Sequence, residues 1–212
     1  MARTRALDYD AQRDRILARA VDAFARTGYA SASMAMLAQA CGISKATLYH
    51  YYPSKQALLF EALDRYTQRL ATTVVNTEVD GDAREALRAM LRALMAEYRH
   101  SHAYHVALLQ DLRFLSASEQ DTIRAQQRAV VEAIATRLER AAPAGLPPGE
   151  RSVITMALLG MINFTFAWLR PDGAIDHQRF ADLAASLWLD GLAGQPIPPD
   201  EEADEQAVRI EG

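Results

Sequence analysis

A group of side chains that can hydrogen-bond to nucleic acid lies within residues 44–55. Lys45, Thr47 and His50 offer charged or neutral donors, a hydroxyl and a methyl group. These are the groups that contact base edges and phosphates in the grooves of DNA. Tyr49 adds a hydroxyl that suits a phosphate oxygen. The set therefore predicts a DNA-binding surface rather than a catalytic centre.

Two short helices, over residues 34–41 and 45–52, must position these side chains. Ser33 and Ser44 are placed to cap the two helices, and Gly42 supplies the break between them. Such a pair forms a helix-turn-helix when its inward faces interlock. The residues placed on the inward faces are Leu37, Ala38, Cys41, Ile43, Leu48 and Tyr51. The alternative is a pair of packed core helices without a role in DNA binding.

Residues 13–63 resemble the DNA-binding region of TetR-family regulators. The resemblance is carried by Phe24, Gly28, Tyr29, Met34, Ala38, the run Cys41-Gly42-Ile43, the run from Thr47 to Tyr52, and Ser54, Lys55, Leu58 and Leu59. Tyr52 stands where the family usually has phenylalanine, and Ala32 where threonine is frequent. The resemblance implies that the second helix enters the major groove. The DNA contacts it implies are Ser33, Ser44, Lys45, Thr47, Tyr49, His50 and Lys55.

The rest of the chain is predicted to be helical as well, which makes the fold class all-α. Apolar residues recur at three-to-four spacing almost throughout, and no alternating strand pattern appears. The long amphipathic segments are residues 83–99, 102–115, 118–141, 150–170 and 176–192. The predicted division is a helix-turn-helix domain at 1–57, a helical ligand-binding and dimerisation domain at 58–194, and a disordered acidic tail at 195–212.

The charge is distributed unevenly along the chain. Residues 1–70 carry ten Lys and Arg against six Asp and Glu, whereas residues 71–212 carry 13 against 21. Only the N-terminal part therefore favours phosphate. One cysteine, no membrane-spanning apolar run and no apolar signal core together predict a cytoplasmic protein.

The resemblance also implies a two-fold dimer built through the last two helices. Two helix-turn-helix units about 34–36 Å apart read a palindromic operator. The two predicted helices, 150–170 and 176–192, carry more apolar residues than one buried face needs. Gly160 and Ala184 are small enough to let two helices approach closely. The predicted interface residues are Gly160, Phe164, Ala184, Leu187 and Trp188.

Residues 160–192 are similar to the end of a TetR subgroup that senses acyl-coenzyme A esters. The similarity is carried by Gly160, Asn163, Trp168, the run from Arg170 to Gly173, and Gly191-Leu192. It implies an apolar pocket with polar anchors, in which arginines pair with the coenzyme's phosphates. The predicted ligand-binding residues are Met95, Tyr98, Tyr104, Leu108, Arg113, Phe114, Arg124, Arg128, Asn163, Phe166 and Trp168. The alternative is a repressor that senses an unrelated hydrophobic compound.

Two other classes of protein find less support in the sequence. For an enzyme, the sequence shows no phosphate-binding glycine loop, no nucleophile elbow and no zinc helix, and its histidines and acids form no recognisable constellation. A helical adaptor would not need the DNA-contacting side chains. His100, His102 and His105 suggest a metal site, but no cysteine lies near them, so we predict no metal and no cofactor beyond the inducer.

Overall fold

The computed structural model describes residues 2–77, 81–142, 146, 149–170 and 172–192. All regular structure in these residues is helical, which confirms the all-α prediction. The helices are α1 (Ala2–Thr27), α2 (Met34–Cys41), α3 (Lys45–Tyr51), α4 (Lys55–Asn76), α5 (Ala83–His100), α6 (His102–Asp111), α7 (Ala117–Ala141), α8 (Arg151–Asn163) and α9 (His177–Leu192). Two 3₁₀ turns, Leu112–Phe114 and Phe164–Ala167, extend α6 and α8.

The three N-terminal helices enclose a small core. Ile16 and Ala20 of α1 are fully buried with Leu37 of α2 and Leu48 of α3. Gly28 ends α1 with a left-handed φ of 77°, and its N–H donates to the Phe24 carbonyl at 2.8 Å. Glycine commonly ends helices in this way, because it adopts a left-handed φ without strain.

Helix α1 begins earlier than its apolar repeat indicates. The repeat starts near Asp10, but the helix starts at Ala2. Residues 2–9 contain neither proline nor glycine, so nothing in them interrupts the helix. Tyr9 stacks on Tyr51 of α3 with ring centroids 4.7 Å apart, which holds this extension against the third helix.

Helix α4 joins the two halves of the chain. It packs against α1, α5 and α7 and buries Leu58, Leu63, Tyr66 and Val74. The predicted boundary at residue 57 lies inside this helix, so no linker separates the two parts. The boundary remains a prediction, and the predicted acidic tail at 195–212 lies outside the described residues.

The C-terminal part is a bundle in which α5 packs on α9 and α7 while α8 packs on α7 and α9. Two predicted segments are shorter as α-helices than expected. Segment 102–115 becomes 3₁₀ at Leu112, and segment 150–170 becomes 3₁₀ at Phe164. Among the described residues, no helix is both long and apolar enough to cross a membrane.

Candidate DNA-binding surface and ligand cavity

The turn between α2 and α3 has the geometry of a helix-turn-helix. Gly42 adopts a left-handed conformation with φ 69° and ψ 28°. Its N–H donates to the Gln39 carbonyl at 3.0 Å, and the Ile43 N–H donates to the Ala38 carbonyl at 3.1 Å. These bonds satisfy the last carbonyls of α2 and turn the chain directly into α3. Glycine suits this position because it adopts a positive φ without strain.

Both predicted capping serines fulfil that role. The Ser33 hydroxyl accepts from the Met36 N–H at 3.3 Å, and the Ser44 hydroxyl accepts from the Thr47 N–H at 3.0 Å. The Ser44 and Thr47 hydroxyls also lie 2.8 Å apart. Each cap fixes the first turn of a short helix. DNA contact by Ser33 and Ser44 remains a prediction in addition to this structural role.

Helix α3 presents the predicted DNA-contacting side chains on one exposed surface. Lys45, Thr47, Tyr49 and His50 are all exposed, while Leu48 between them is fully buried. The Lys45 ammonium lies 5.8 Å from the centre of the Tyr49 ring. The surface therefore combines a cation, hydroxyls and an imidazole around one buried anchor. We call the four exposed residues the α3 surface.

Lys55 has a structural role besides the predicted phosphate contact. Its ammonium donates to the carbonyl oxygens of Tyr29, Ala30 and Ala32 at 2.9, 3.2 and 2.9 Å. It also lies 4.4 Å from the centre of the Tyr29 ring. An ammonium has three N–H groups, so these bonds use all of them. Lys55 therefore ties the loop between α1 and α2 to the start of α4. DNA contact by Lys55 stays a prediction in addition to this structural role.

The hydroxyl of Tyr52, where the family usually has phenylalanine, has a specific partner. It accepts a hydrogen bond from Arg13 Nε at 3.2 Å, and Arg13 also pairs with Glu61. Burial raises the pKa of Tyr52 to about 12, so the hydroxyl stays protonated at neutral pH. The tyrosine at this position therefore allows Arg13 of α1 to contact both the end of α3, through Tyr52, and α4, through Glu61.

A cavity of about 380 Å³ lies between α4, α5, α6, α7 and α8. This volume falls within the roughly 300–1,000 Å³ range of small-molecule sites. Five predicted residues line it, namely Tyr98, Leu108, Arg124, Arg128 and Asn163. The prediction missed further lining residues: Thr67, Leu70, His105, Gln127, Val130, Val131, Met156 and Leu159. The cavity is formed where five helices cross, so a pattern along any one helix reports few of its lining residues. The apolar periodicity of α7 is the one local signal, and it concerns Val130 and Val131. We call this space the bundle cavity.

Six predicted ligand residues lie outside the lining of the bundle cavity. Met95 is fully buried in the core, and Tyr104 packs 5.9 Å from Tyr66, measured between ring centroids. Trp168 packs against Phe180 at 5.3 Å and is 51% exposed. The others are Arg113, Phe114 and Phe166. Phe166 lies 6.3 Å, between ring centroids, from His105 of the cavity wall. Ligand contact by these six residues stays a prediction.

Arg113 and Phe114 line a second cleft instead. It has a volume of about 730 Å³ and is bordered by the loop between α1 and α2 and by the end of α6. It shares Leu108, Leu109, Arg124 and Gln127 with the bundle cavity, so the two spaces adjoin. We call it the junction cleft.

A hydrogen-bonded group forms one wall of the bundle cavity. The Tyr98 hydroxyl donates to Asn163 Oδ1 at 2.7 Å, and the Tyr98 ring stacks on His105 with centroids 3.9 Å apart. His105 Nε2 lies 3.3 Å from the Asn163 carbonyl, and Nδ1 lies 3.2 Å from the Tyr66 hydroxyl. A neutral ring that donates from Nε2 and accepts at Nδ1 satisfies both contacts. Burial lowers the pKa of His105 to about 4, which agrees with the neutral form.

The same contacts bear on the metal hypothesis. Both ring nitrogens of His105 are within reach of protein partners. Within the described residues, no three His, Cys, Asp or Glu side chains are grouped so that they could hold a metal ion.

An exposed apolar surface runs along α8, its 3₁₀ turn and α9. Val153 is 69% exposed, Phe164 60% and Leu187 68%. Gly160 is also exposed, and Trp188 is half-buried against the core. Ala184 is fully buried inside the bundle, so its prediction as an interface residue is corrected. Large apolar side chains grouped at a surface mark an interaction site. We call this surface the α8–α9 face.

Family comparisons match both parts of the chain. Residues 16–62 match the family described as bacterial regulatory proteins, tetR family. Residues 80–192 match the tetracyclin repressor-like C-terminal domain.

Among curated relatives, the transcriptional activator FasR of Mycolicibacterium smegmatis is 23% identical over 193 residues, which cover 90% of this chain and 87% of FasR. Another curated relative, a transcriptional regulator of Bacillus subtilis, is 40% identical over 80 residues, and that match spans only 28% of its own length.

Solved structures agree with the fold. The TetR-family regulator PfmR of Thermus thermophilus is 30% identical with a TM-score of 0.76, over 83% of this chain and 97% of PfmR. AibR, solved in complex with isovaleryl coenzyme A and operator DNA, is 24% identical with a TM-score of 0.73, over 83% of this chain and 97% of AibR. Since the C-terminal match alone spans more than half of the residues, the chain belongs to the TetR family of bacterial regulatory proteins.

Proposed function

We propose that the chain is a homodimeric transcriptional repressor that binds a palindromic operator through α3 and releases it on binding a small amphipathic inducer. The observation that carries the proposal is the α3 surface, in which four polar side chains surround the buried Leu48 on a helix fixed by a glycine turn. Lys45 and the hydroxyls supply phosphate contacts, while Thr47 and His50 lie where base edges are read.

The α8–α9 face supports the dimer. Phe164 and Leu187 expose most of their side chains in the single chain. A second copy related by a two-fold axis would cover the same face on both subunits. The dimer would then carry two α3 surfaces, which a palindromic operator requires.

The bundle cavity supports control by a ligand. Its lining is mainly apolar, with Asn163, Arg124 and Arg128 as polar anchors. We propose an acyl-coenzyme A thioester as the inducer class, with its acyl chain in this cavity. AibR, which was solved with isovaleryl coenzyme A, adds support by likeness of fold. A ligand can shift the DNA-binding equilibrium only if it prefers one conformation of the dimer.

The alternative inducer is an uncharged hydrophobic compound, which the apolar lining favours. A thermal-shift screen against acyl-coenzyme A esters, free fatty acids, aromatic acids and neutral apolar compounds separates the two. Stabilisation by thioesters supports the proposal, whereas stabilisation by neutral compounds alone contradicts the thioester class.

The DNA-binding part has its own test. Duplexes are selected from a random library with the purified protein, and affinity for the selected site is measured at two salt concentrations. We expect a palindromic site and an affinity that falls steeply with salt, because phosphate contacts release counterions. Failure to enrich any duplex, together with affinity that is independent of salt, would contradict the proposed function.

A further inference from the structure

The junction cleft is bordered by an acidic and a phenolic side chain. Asp111 is only 7% exposed, and the hydroxyl of Tyr29 borders the same cleft. Burial raises the pKa of each of these groups, and no hydrogen bond to either contributes to the change. A carboxylate with so little exposure is costly to keep charged, so Asp111 is notable where it borders a cleft.

The cleft also provides cationic and aromatic groups. Arg113 is exposed, and its guanidinium lies 5.0 Å from the centre of the Phe114 ring. Phe114 stacks on Tyr29 with ring centroids 4.8 Å apart. Arg124 lies on the border between this cleft and the bundle cavity. Arginines that can bind an anion, a carboxylate that can accept a hydrogen bond, and aromatic rings that can stack therefore line one cleft.

The order of the two spaces matches an amphipathic molecule. The bundle cavity is apolar over most of its lining, and the adjoining cleft is lined by Asp111, Arg113, Gln110 and Tyr29. A ligand with its chain in the first space would place its polar end in the second. One side of that second space is the loop that begins at Gly28 and leads into α2.

We propose that the junction cleft binds the polar head group of the inducer, which carries both an anionic group and a hydrogen-bond donor, and that this head group contacts the loop between α1 and α2 directly. Arg113 and Arg124 pair with the anion, Asp111 accepts from the donor, and Tyr29 contacts the head. This inference rests on the proposed function, since it concerns the inducer of that repressor.

The contact with Tyr29 gives the head group a direct effect on the DNA-binding helices. Lys55 holds the carbonyls of Tyr29, Ala30 and Ala32 together, and Ser33 caps α2 one residue later. A head group against Tyr29 therefore acts on the segment that sets the start of α2. The acyl chain has no such contact, because no residue of that loop lines the bundle cavity.

The test compares two probes with the same acyl chain. Octanoyl-coenzyme A has the full polar head, whereas octanoyl-N-acetylcysteamine keeps the thioester but lacks the nucleotide. Affinities are measured by calorimetry for the wild-type dimer and for Arg113→Gln, Tyr29→Phe and Val131→Trp, with Arg140→Gln as control. Arg140 is an exposed arginine of α7 that lines neither space.

We expect Arg113→Gln to weaken octanoyl-coenzyme A by about tenfold, since a charge-assisted bond to an anion is lost. Tyr29→Phe should weaken it by a smaller factor. Both variants should leave the truncated thioester unchanged, whereas Val131→Trp should weaken both probes. Arg140→Gln should match the wild type. At saturation the truncated thioester should displace operator DNA less completely than octanoyl-coenzyme A does.

Two results would overturn the inference in distinguishable ways. If Arg113→Gln and Tyr29→Phe bind octanoyl-coenzyme A like the wild type while Val131→Trp does not, the head group binds elsewhere and the proposed function stands. If the wild type binds neither probe, the inference and the proposed inducer class both fail, and the selected duplexes still decide DNA binding.

Asp111 supplies an independent readout. Asp111→Asn should raise the thermal stability of the free protein, because it removes a carboxylate whose charged form is disfavoured by burial. It should also weaken octanoyl-coenzyme A, because the charged acceptor is lost. A purely structural role predicts instead that the substitution lowers stability, which would contradict the assignment of Asp111 to the head group.

Discussion

At the scale of single residues, the two lysines near the helix-turn-helix have different roles. Lys45 is exposed on α3, whereas Lys55 uses its three N–H groups on backbone carbonyls. Both are lysines at the start of a predicted helix near the helix-turn-helix, so the sequence predicts a DNA contact for each. The difference arises from the approach of α4 to the loop between α1 and α2, which no local pattern reports.

The two lysines should therefore respond differently to substitution. Lys55→Met should lower the free energy of unfolding by about 1–3 kcal/mol, because three backbone carbonyls, two of them part-buried, lose a charged donor. Lys45→Gln should leave stability unchanged, weaken operator binding and reduce the slope of log affinity against log salt by about one. Urea unfolding and DNA titrations at several salt concentrations measure both. Equal stability of Lys55→Met and the wild type would contradict the role of Lys55.

His105 should make stability depend on pH. Its pKa in the folded protein is lowered by burial to about 4, whereas an unfolded histidine titrates near its ordinary value of 6.5. Between these values the unfolded chain binds a proton that the folded protein excludes, so stability is lost as pH falls through this range. The loss attributable to His105 is about 3 kcal/mol.

The matched variant is His105→Gln, which keeps a donor and an acceptor but cannot titrate. Unfolding in urea at about pH 7 and about pH 5 should show a smaller difference for the variant than for the wild type. Other groups, such as Glu119 with its pKa lowered by hydrogen bonds to Ser116 and Gln56, titrate in both proteins and cancel in the comparison. Identical pH dependence of the two proteins would contradict a neutral buried His105.

At the scale of elements, Gly42 determines how α2 and α3 meet. Its φ of 69° is unfavourable for a β-branched residue, although no atom lies within 4 Å of the place where a Cβ would be. The cost of substitution is therefore conformational rather than steric crowding. Gly42→Val should destabilise the protein by about 1–3 kcal/mol, and Gly42→Asn by less, because asparagine tolerates left-handed backbone. Equal melting temperatures for the two variants would contradict this reason.

The elements show what the sequence could and could not predict. The caps Ser33 and Ser44 and the stops Gly28 and Gly42 were predictable, because each depends on a few neighbouring residues. The lining of the bundle cavity was predictable only in part. His105, for instance, lies there because α6 packs beside the end of α8, where His105 contacts the Asn163 carbonyl, whereas its sequence neighbours suggested a metal ligand. The change of α8 into a 3₁₀ turn at Phe164 likewise has no clear sequence signal.

At the scale of the whole molecule, the α8–α9 face should decide the oligomeric state. Leu187→Glu should convert the proposed dimer into monomers without loss of helical content, since a charge would be buried at the proposed two-fold interface. Operator affinity should fall with it. Val75→Glu is the matched control, because Val75 is a similarly exposed apolar residue on α4. Sedimentation and DNA titration measure both variants. A Leu187→Glu protein that remains dimeric would place the interface on another face.

The continuity of α4 has a consequence for how the protein unfolds. The helix runs from Lys55 to Asn76, and its buried residues belong to one hydrophobic cluster that includes Ile16 of α1 and Leu91 of α5. Neither half of the chain keeps a complete core once the other is removed. Heat or urea should therefore melt the protein in one cooperative transition, and a fragment that ends at residue 57 should lack a stable fold.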